Sequence, residues 1–253
     1  MARFLSVAVA LALTLVAGPA AAGLDDEVRY DGAMPSPVSV ADSGPYARHG
    51  TVLSANGGRV LSLFDASSGG SGDLFLRFPA GHCAAVPCPQ AVVRPADSAA
   101  LMPKGGTGRF SFGADVRLTA EPSPDAGMNV WQFGLAGAGQ SQWKLQVDGG
   151  RPSCRWSDGT RVVLLPARAY RMAVGRWHRV RCARLSSVLF QIRVLDPVTG
   201  DAIVPPAQAV ATVGAIRPDG SAVIGGKRVR ADQADAQTDQ FHGDLDEVYF
   251  ARR

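Results

Sequence analysis

The chain has 253 residues, 46% of them hydrophobic and 19% charged, with a formal net charge of +4. That length suits one large β domain or two small ones, with enough apolar surface to bury a core of its own. Nearly all the positive charge is arginine, with lysine only at Lys104, Lys144 and Lys227, and it is spread along the chain without the basic block or stripe that would suggest nucleic acid.

The first segment, "MARFLSVAVALALTLVAGPAAAG", has a basic start at Arg3, an apolar run from Phe4 to Val16 and small residues at Ala20 and Ala22. This is the pattern of a secretory signal peptide, residues 1–22, cut after Ala22. No later stretch is apolar enough to cross a bilayer. The expectation is a secreted, extracellular chain, residues 23–253, with no membrane span after signal cleavage.

From there on the hydrophobic period is two. "DLFLRF" aligns Leu74, Leu76 and Phe78, and "FSFGADVRL" aligns Phe110, Phe112, Ala114, Val116 and Leu118. "QWKLQV" does the same with Trp143, Leu145 and Val147, and "VLFQIRV" with Val188, Phe190, Ile192 and Val194. Alternation of this kind belongs to half-buried antiparallel strands. Turn clusters such as "PKGGTG", "VDGG", "WSDG" and "DPVTGD" separate them, and no capped stretch of helical period follows the signal. The fold class predicted is all-β, a two-sheet antiparallel sandwich, in a single domain with no composition shift to divide it.

Four cysteines in an exported chain favour two disulfides over metal ligation. Three connectivities are open. Spacing favours Cys83–Cys88 as a small closed loop, which leaves Cys154 with Cys182.

Five motifs in order resemble the laminin-G-like, concanavalin A-like domains of bacterial secreted proteins: "ADSGPYARHGTV", "FSFGADVRL", the pair "SQWKLQVDGGRPSCRWSDG" and "GRWHRVRCAR", "AVIGGKR", and "DQFHGDLDEVYF". The resemblance covers roughly residues 27–253 and implies a jelly roll. It also supports pairing Cys154 with Cys182. This fold hosts lectins, glucanases, adhesion modules and spacers, so function has to come from a site.

The last motif carries three acids, Asp244, Asp246 and Glu247. Glucanases of this fold place their acids at alternate positions of one strand, so that a carboxyl pair about 5–5.5 Å apart serves as nucleophile and general acid. Here Asp244 and Asp246 share a face, the next position on it is Val248, and Glu247 points the other way. The mature chain has only three glutamates, Glu27, Glu121 and Glu247, far apart. If Val248 and Phe250 face the core, Asp246 points inward, where a carboxylate needs partners. Backbone N–H groups would satisfy it; so would calcium, which related domains carry near this end, and Asp42 with Asp246 is the candidate ligand set. Pro45-Tyr46-Ala47-Arg48-His49 departs from the family's Asn and Gly in that loop, and Arg48 weakens the calcium case.

Other chemistry finds little support. His49, His82, His178 and His242 lack a zinc spacing, and His178 in "RWHRV" reads as a surface-strand histidine. No G-x-S-x-G elbow exists, and "GGKRVR" reads as a turn rather than a phosphate loop. Sugar binding needs aromatic faces and polar groups for hydroxyls. Among Trp131, Trp143, Trp156, Trp177, Tyr46 and Tyr170, Trp143 belongs to the core, and Trp131 and Trp156, with Arg155 beside the latter, are the ligand-binding candidates. The reading is a non-catalytic binding domain for polysaccharide or cell-surface glycan. The alternatives are an extracellular protein-interaction or structural module without a sugar site and, behind it, a glycoside hydrolase with displaced acids.

Overall fold

The computed structural model describes residues 25–67, 74–81, 83, 85–121, 127–233 and 239–253. The signal peptide expected over residues 1–22 lies outside them. The strands in chain order are β1 (Asp25–Tyr30), β2 (Ser39–Val40), β3 (Gly50–Ala55), β4 (Leu61–Phe64), β5 (Leu74–Arg77), β6 (Gln90–Pro95), β7 (Phe110–Leu118), β8 (Gly127–Phe133), β9 (Ser141–Asp148), β10 (Arg151–Asp158), β11 (Val162–Pro166), β12 (Trp177–Arg184), β13 (Leu189–Leu195), β14 (Ala207–Val210), β15 (Val223–Ile224) and β16 (Gly243–Arg252).

They form two eight-stranded sheets. The first runs β14-β13-β12-β7-β16-β5-β4, with β1 also paired to β16; the second runs β11-β10-β9-β8-β15-β6-β3-β2. Pairing is antiparallel throughout, as in a jelly roll. The alternating strands put their apolar sides between the sheets: Phe110, Phe112, Ala114, Val116 and Leu118 from β7 meet Trp143, Leu145 and Val147 from β9. Trp143 is the hub of this core. Its ring centroid lies 4.6 Å from Phe112, 5.3 Å from Phe250 and 5.3 Å from Trp131, and its indole N–H donates to the Leu101 carbonyl at 3.1 Å. Each such ring pair adds about 0.5–1.5 kcal/mol beyond burial.

Both expected disulfides are present. Cys83–Cys88 closes a loop, and Cys154–Cys182 ties β10 of the second sheet to β12 of the first, with Cα atoms 5.8 Å apart. At one end of the sandwich the buried guanidinium of Arg184 donates to five carbonyls, those of Gly106, Ser186, Ser187, Val213 and Gly214. Among the described residues no helix is long and apolar enough to cross a membrane.

The closing strand departs from the expected parity. Asp246 pairs with Asp115 and Tyr249 with Gly113, so β16 carries a bulge, with Glu247 at φ 47°. The extra residue lets Leu245 and Val248 both face the core. Asp246 therefore lies on the outer face beside Asp115, not inward as simple alternation predicts. His178 is likewise corrected: it sits opposite Val116, is buried, and its ring bonds the Tyr170 hydroxyl at 2.9 Å.

Candidate functional site

The acidic end of the chain forms an ion-pair lattice across the outer face of the first sheet. Asp244, fully buried, accepts Arg77 Nε at 2.7 Å and Nη2 at 3.0 Å, and Arg117 Nε at 2.8 Å. Asp115, also fully buried, takes Arg179 Nε at 2.8 Å and Nη2 at 2.7 Å, with Arg181 at 3.3 Å. Arg29 pairs with Asp26 and Glu247. The Arg117 guanidinium lies between the Phe75 and Trp177 rings, 4.9 and 4.5 Å from their centroids, and pairs with Asp65. The Ser67 hydroxyl and N–H, then Arg117 and the Trp177 indole, hold the Asp65 carboxyl well below the usual range. Glycoside hydrolysis needs two carboxyl groups flanking one opening. The cleft beside this lattice, about 420 Å³ and lined by Arg77, Arg117, Thr119 and Asp244 among others, holds one.

Asp42 and Asp246, the pair expected to ligate calcium, each accept backbone N–H groups. Asp42 Oδ1 accepts the N–H groups of Arg29 and Gly44, both at 2.8 Å, and Oδ2 accepts that of Arg48 at 2.7 Å. Through these three bonds Asp42 clamps its own loop. Asp246 Oδ1 accepts the Glu247 N–H at 2.7 Å. Among the described residues no group of three or more His, Cys, Asp or Glu could hold a metal ion.

The aromatic candidates are also relocated. Trp131 and Trp156 are fully buried, with Trp131 against Trp143 and Trp156 against Phe112 and Phe190. Neither can stack on a ligand from solvent. Arg155, between Cys154 and Trp156 on β10, turns the other way, onto the outer face of the second sheet.

That outer face carries a polar array. Lys144 on β9 stands opposite Gln132 on β8 and opposite Arg155 on β10. Gln142 and Gln146 flank Lys144 along β9, and Asn129 faces Gln146 from β8. Asn129 Nδ2 donates to Gln132 Oε1 at 2.9 Å, Gln142 Nε2 to the Gly134 carbonyl at 3.0 Å, and the Ser153 hydroxyl to Asp148 at 3.2 Å. Several groups are left over. Asn129 Oδ1, Gln142 Oε1 and Arg155 Nε are buried without a hydrogen-bond partner. Among the described residues neither Lys144 nor Arg155 makes a salt bridge. Burial pushes the Lys144 ammonium below its usual pKa; Asp239 and Asp148 oppose this through space, and Arg155 reinforces it. Leu164 on β11, opposite Arg155, is 52% exposed and gives the array an apolar border. Amides that donate and accept, two cations without carboxylate partners, and rigid strands beneath them suit hydroxyls and acidic groups on one ligand. The sequence reading found Arg155 and missed Lys144, Gln132, Gln142 and Asn129. Alternation in "QWKLQV" was the available signal, since Trp143, Leu145 and Val147 inward put Gln142, Lys144 and Gln146 outward.

The fold defines the class: a concanavalin A-like, two-sheet jelly roll. Within it, residues 133–253 match the Laminin G domain family model. No curated protein sequence matches the chain. Among solved structures, botulinum neurotoxin type C, which depends on interaction with two ganglioside molecules to get into cells, aligns over 90% of this chain and 48% of its own at 9% identity and TM-score 0.56. The binding domain of botulinum neurotoxin DC in complex with rat synaptotagmin II aligns over the same shares at 9% identity and TM-score 0.54. Domains LG4-5 of the mouse laminin alpha1 chain align over 58% of this chain and 37% of their own at 15% identity and TM-score 0.41. The chain thus spans about half the length of the toxin structures, which share its fold.

Proposed function

We propose that this is a secreted, non-catalytic binding domain for a polysaccharide or cell-surface glycan that carries acidic groups, held on the outer face of the second sheet around Lys144 and Arg155. One observation carries the reading: two cations stand directly opposite each other on adjacent strands, and among the described residues neither makes a salt bridge. Like charges so placed are unfavourable, and buried polar atoms left unpaired cost more. A ligand with carboxylate, sulfate or phosphate groups and free hydroxyls relieves both. Two disulfides support an oxidising, extracellular setting. The fold shared with a ganglioside-dependent toxin agrees with glycan binding on this architecture, as a likeness of fold alone.

The test is co-sedimentation of the purified chain with insoluble polysaccharides and cell walls, with calcium and with a chelator. Retention on acidic polymers that survives the chelator and weakens with salt is expected. No retention on any polymer would sink the reading.

A second reading, a protein partner, is favoured by the edge strand β11, which exposes Val162 and Leu164 beside an open row of backbone groups.

A further inference from the structure

The two sheets end side by side at β11 and β14, the edge strands of the second and first sheets. Between them a cleft of about 370 Å³ opens toward the core. Its floor is Ile192 and Val194, core residues of β13 that are almost fully buried, and its walls are Leu165, Pro166, Val204 and Pro205. Prolines bring no N–H, so these walls add few donors needing partners. The volume falls in the range of small-ligand pockets, about 300–1,000 Å³. One charged residue lines the cleft, Arg168, and among the described residues it is exposed and makes no ion pair. Its turn is anchored on both sides: the Ala167 N–H donates to the Pro152 carbonyl and the Tyr170 N–H to the Ala167 carbonyl, both at 2.9 Å.

We propose that this cleft takes the aliphatic tail of a single-chain amphiphile whose anionic head group pairs with Arg168. The apolar floor selects the tail, and the lone guanidinium at the rim selects the sign of the head. The site is separate from the Lys144–Arg155 face, and either can stand without the other.

Calorimetric titration with dodecanoate below its micellar concentration tests this, with dodecyltrimethylammonium as the head-group control. Saturable binding of one dodecanoate per chain is expected. Val204→Trp, which fills the cleft, should abolish it, and Arg168→Gln should weaken it about tenfold and erase the preference for the anionic head. Arg168 lies on an exposed turn, so that variant stays informative even if Val204→Trp fails to fold. Absence of saturable binding, unchanged binding in a folded Val204→Trp protein, or unchanged preference in Arg168→Gln would overturn the proposal. Retention on polysaccharide should be the same in both variants, which separates this outcome from that of the glycan reading.

Discussion

Lys144 and Arg155 face each other across β9 and β10, and no carboxylate in the described structure bonds either one. A sheet built for stability alone would put opposite charges at such a pair. Lys144→Gln should therefore leave the melting temperature unchanged or raise stability by about 0.2–1 kcal/mol, while lowering retention on acidic polysaccharide. Thermal unfolding alongside co-sedimentation checks both halves. A loss of stability together with full retention would mark Lys144 as structural.

Asp244 makes the opposite case. It is fully buried and satisfied by Arg77 and Arg117, so Asp244→Asn removes the charge that both guanidinium groups pair with. A destabilisation of roughly 3 kcal/mol is expected in urea unfolding, with polysaccharide retention intact in the folded fraction. Loss of binding without loss of stability would move the site to the first sheet.

These two predictions rest on different degrees of legibility. The two-sheet fold was readable because strands such as β7 and β9 alternate without interruption. The buried tryptophans were readable in principle as well. Cys154 must face inward to reach Cys182 in the other sheet, which makes Trp156 inward and Arg155 outward; weighing Trp156 by its polar neighbours instead put it on the surface. His178 follows the same rule, since it shares parity with Val180 and Cys182. The bulge at Glu247 was readable only in part. Its one trace is the three-residue step from Leu245 to Val248, which breaks the period of two without saying which residue bulges. The bulge moves Asp246 to the other face. The Lys144–Arg155 pair depends on the register between β9 and β10, which alternation within one strand does not fix.

The inter-sheet disulfide has a measurable share in stability. The Cys154–Cys182 bridge spans 28 residues, and replacing both cysteines with serine should cost roughly 3–4 kcal/mol by loop entropy. Denaturant unfolding of the double variant checks this. A change under 1 kcal/mol would mean that the aromatic core around Trp143 fixes the sheets without it.

His178 should make the fold acid-sensitive. Burial holds its imidazole below the usual pKa, Arg176 adds to the effect, and the Ala173 carbonyl and Asp196 oppose it. The folded state therefore resists protonation that the unfolded chain accepts near pH 6.5. The corresponding stability is present above about pH 6.5 and is lost as the pH falls from there through the lower folded value. Melting temperature measured from pH 7.5 to 5 should drop in the wild type and drop less in His178→Gln. Parallel curves would remove His178 as the cause.

The most direct test of the central claim compares binding of the wild-type chain and the Lys144→Gln/Arg155→Gln variant to one acidic polysaccharide and to its carboxyl-reduced form. The account predicts that the wild type binds the acidic polymer, loses it with rising salt, and binds the reduced form weakly, while the folded variant binds both equally poorly. Equal binding of the acidic polymer by the wild type and the folded variant would contradict it.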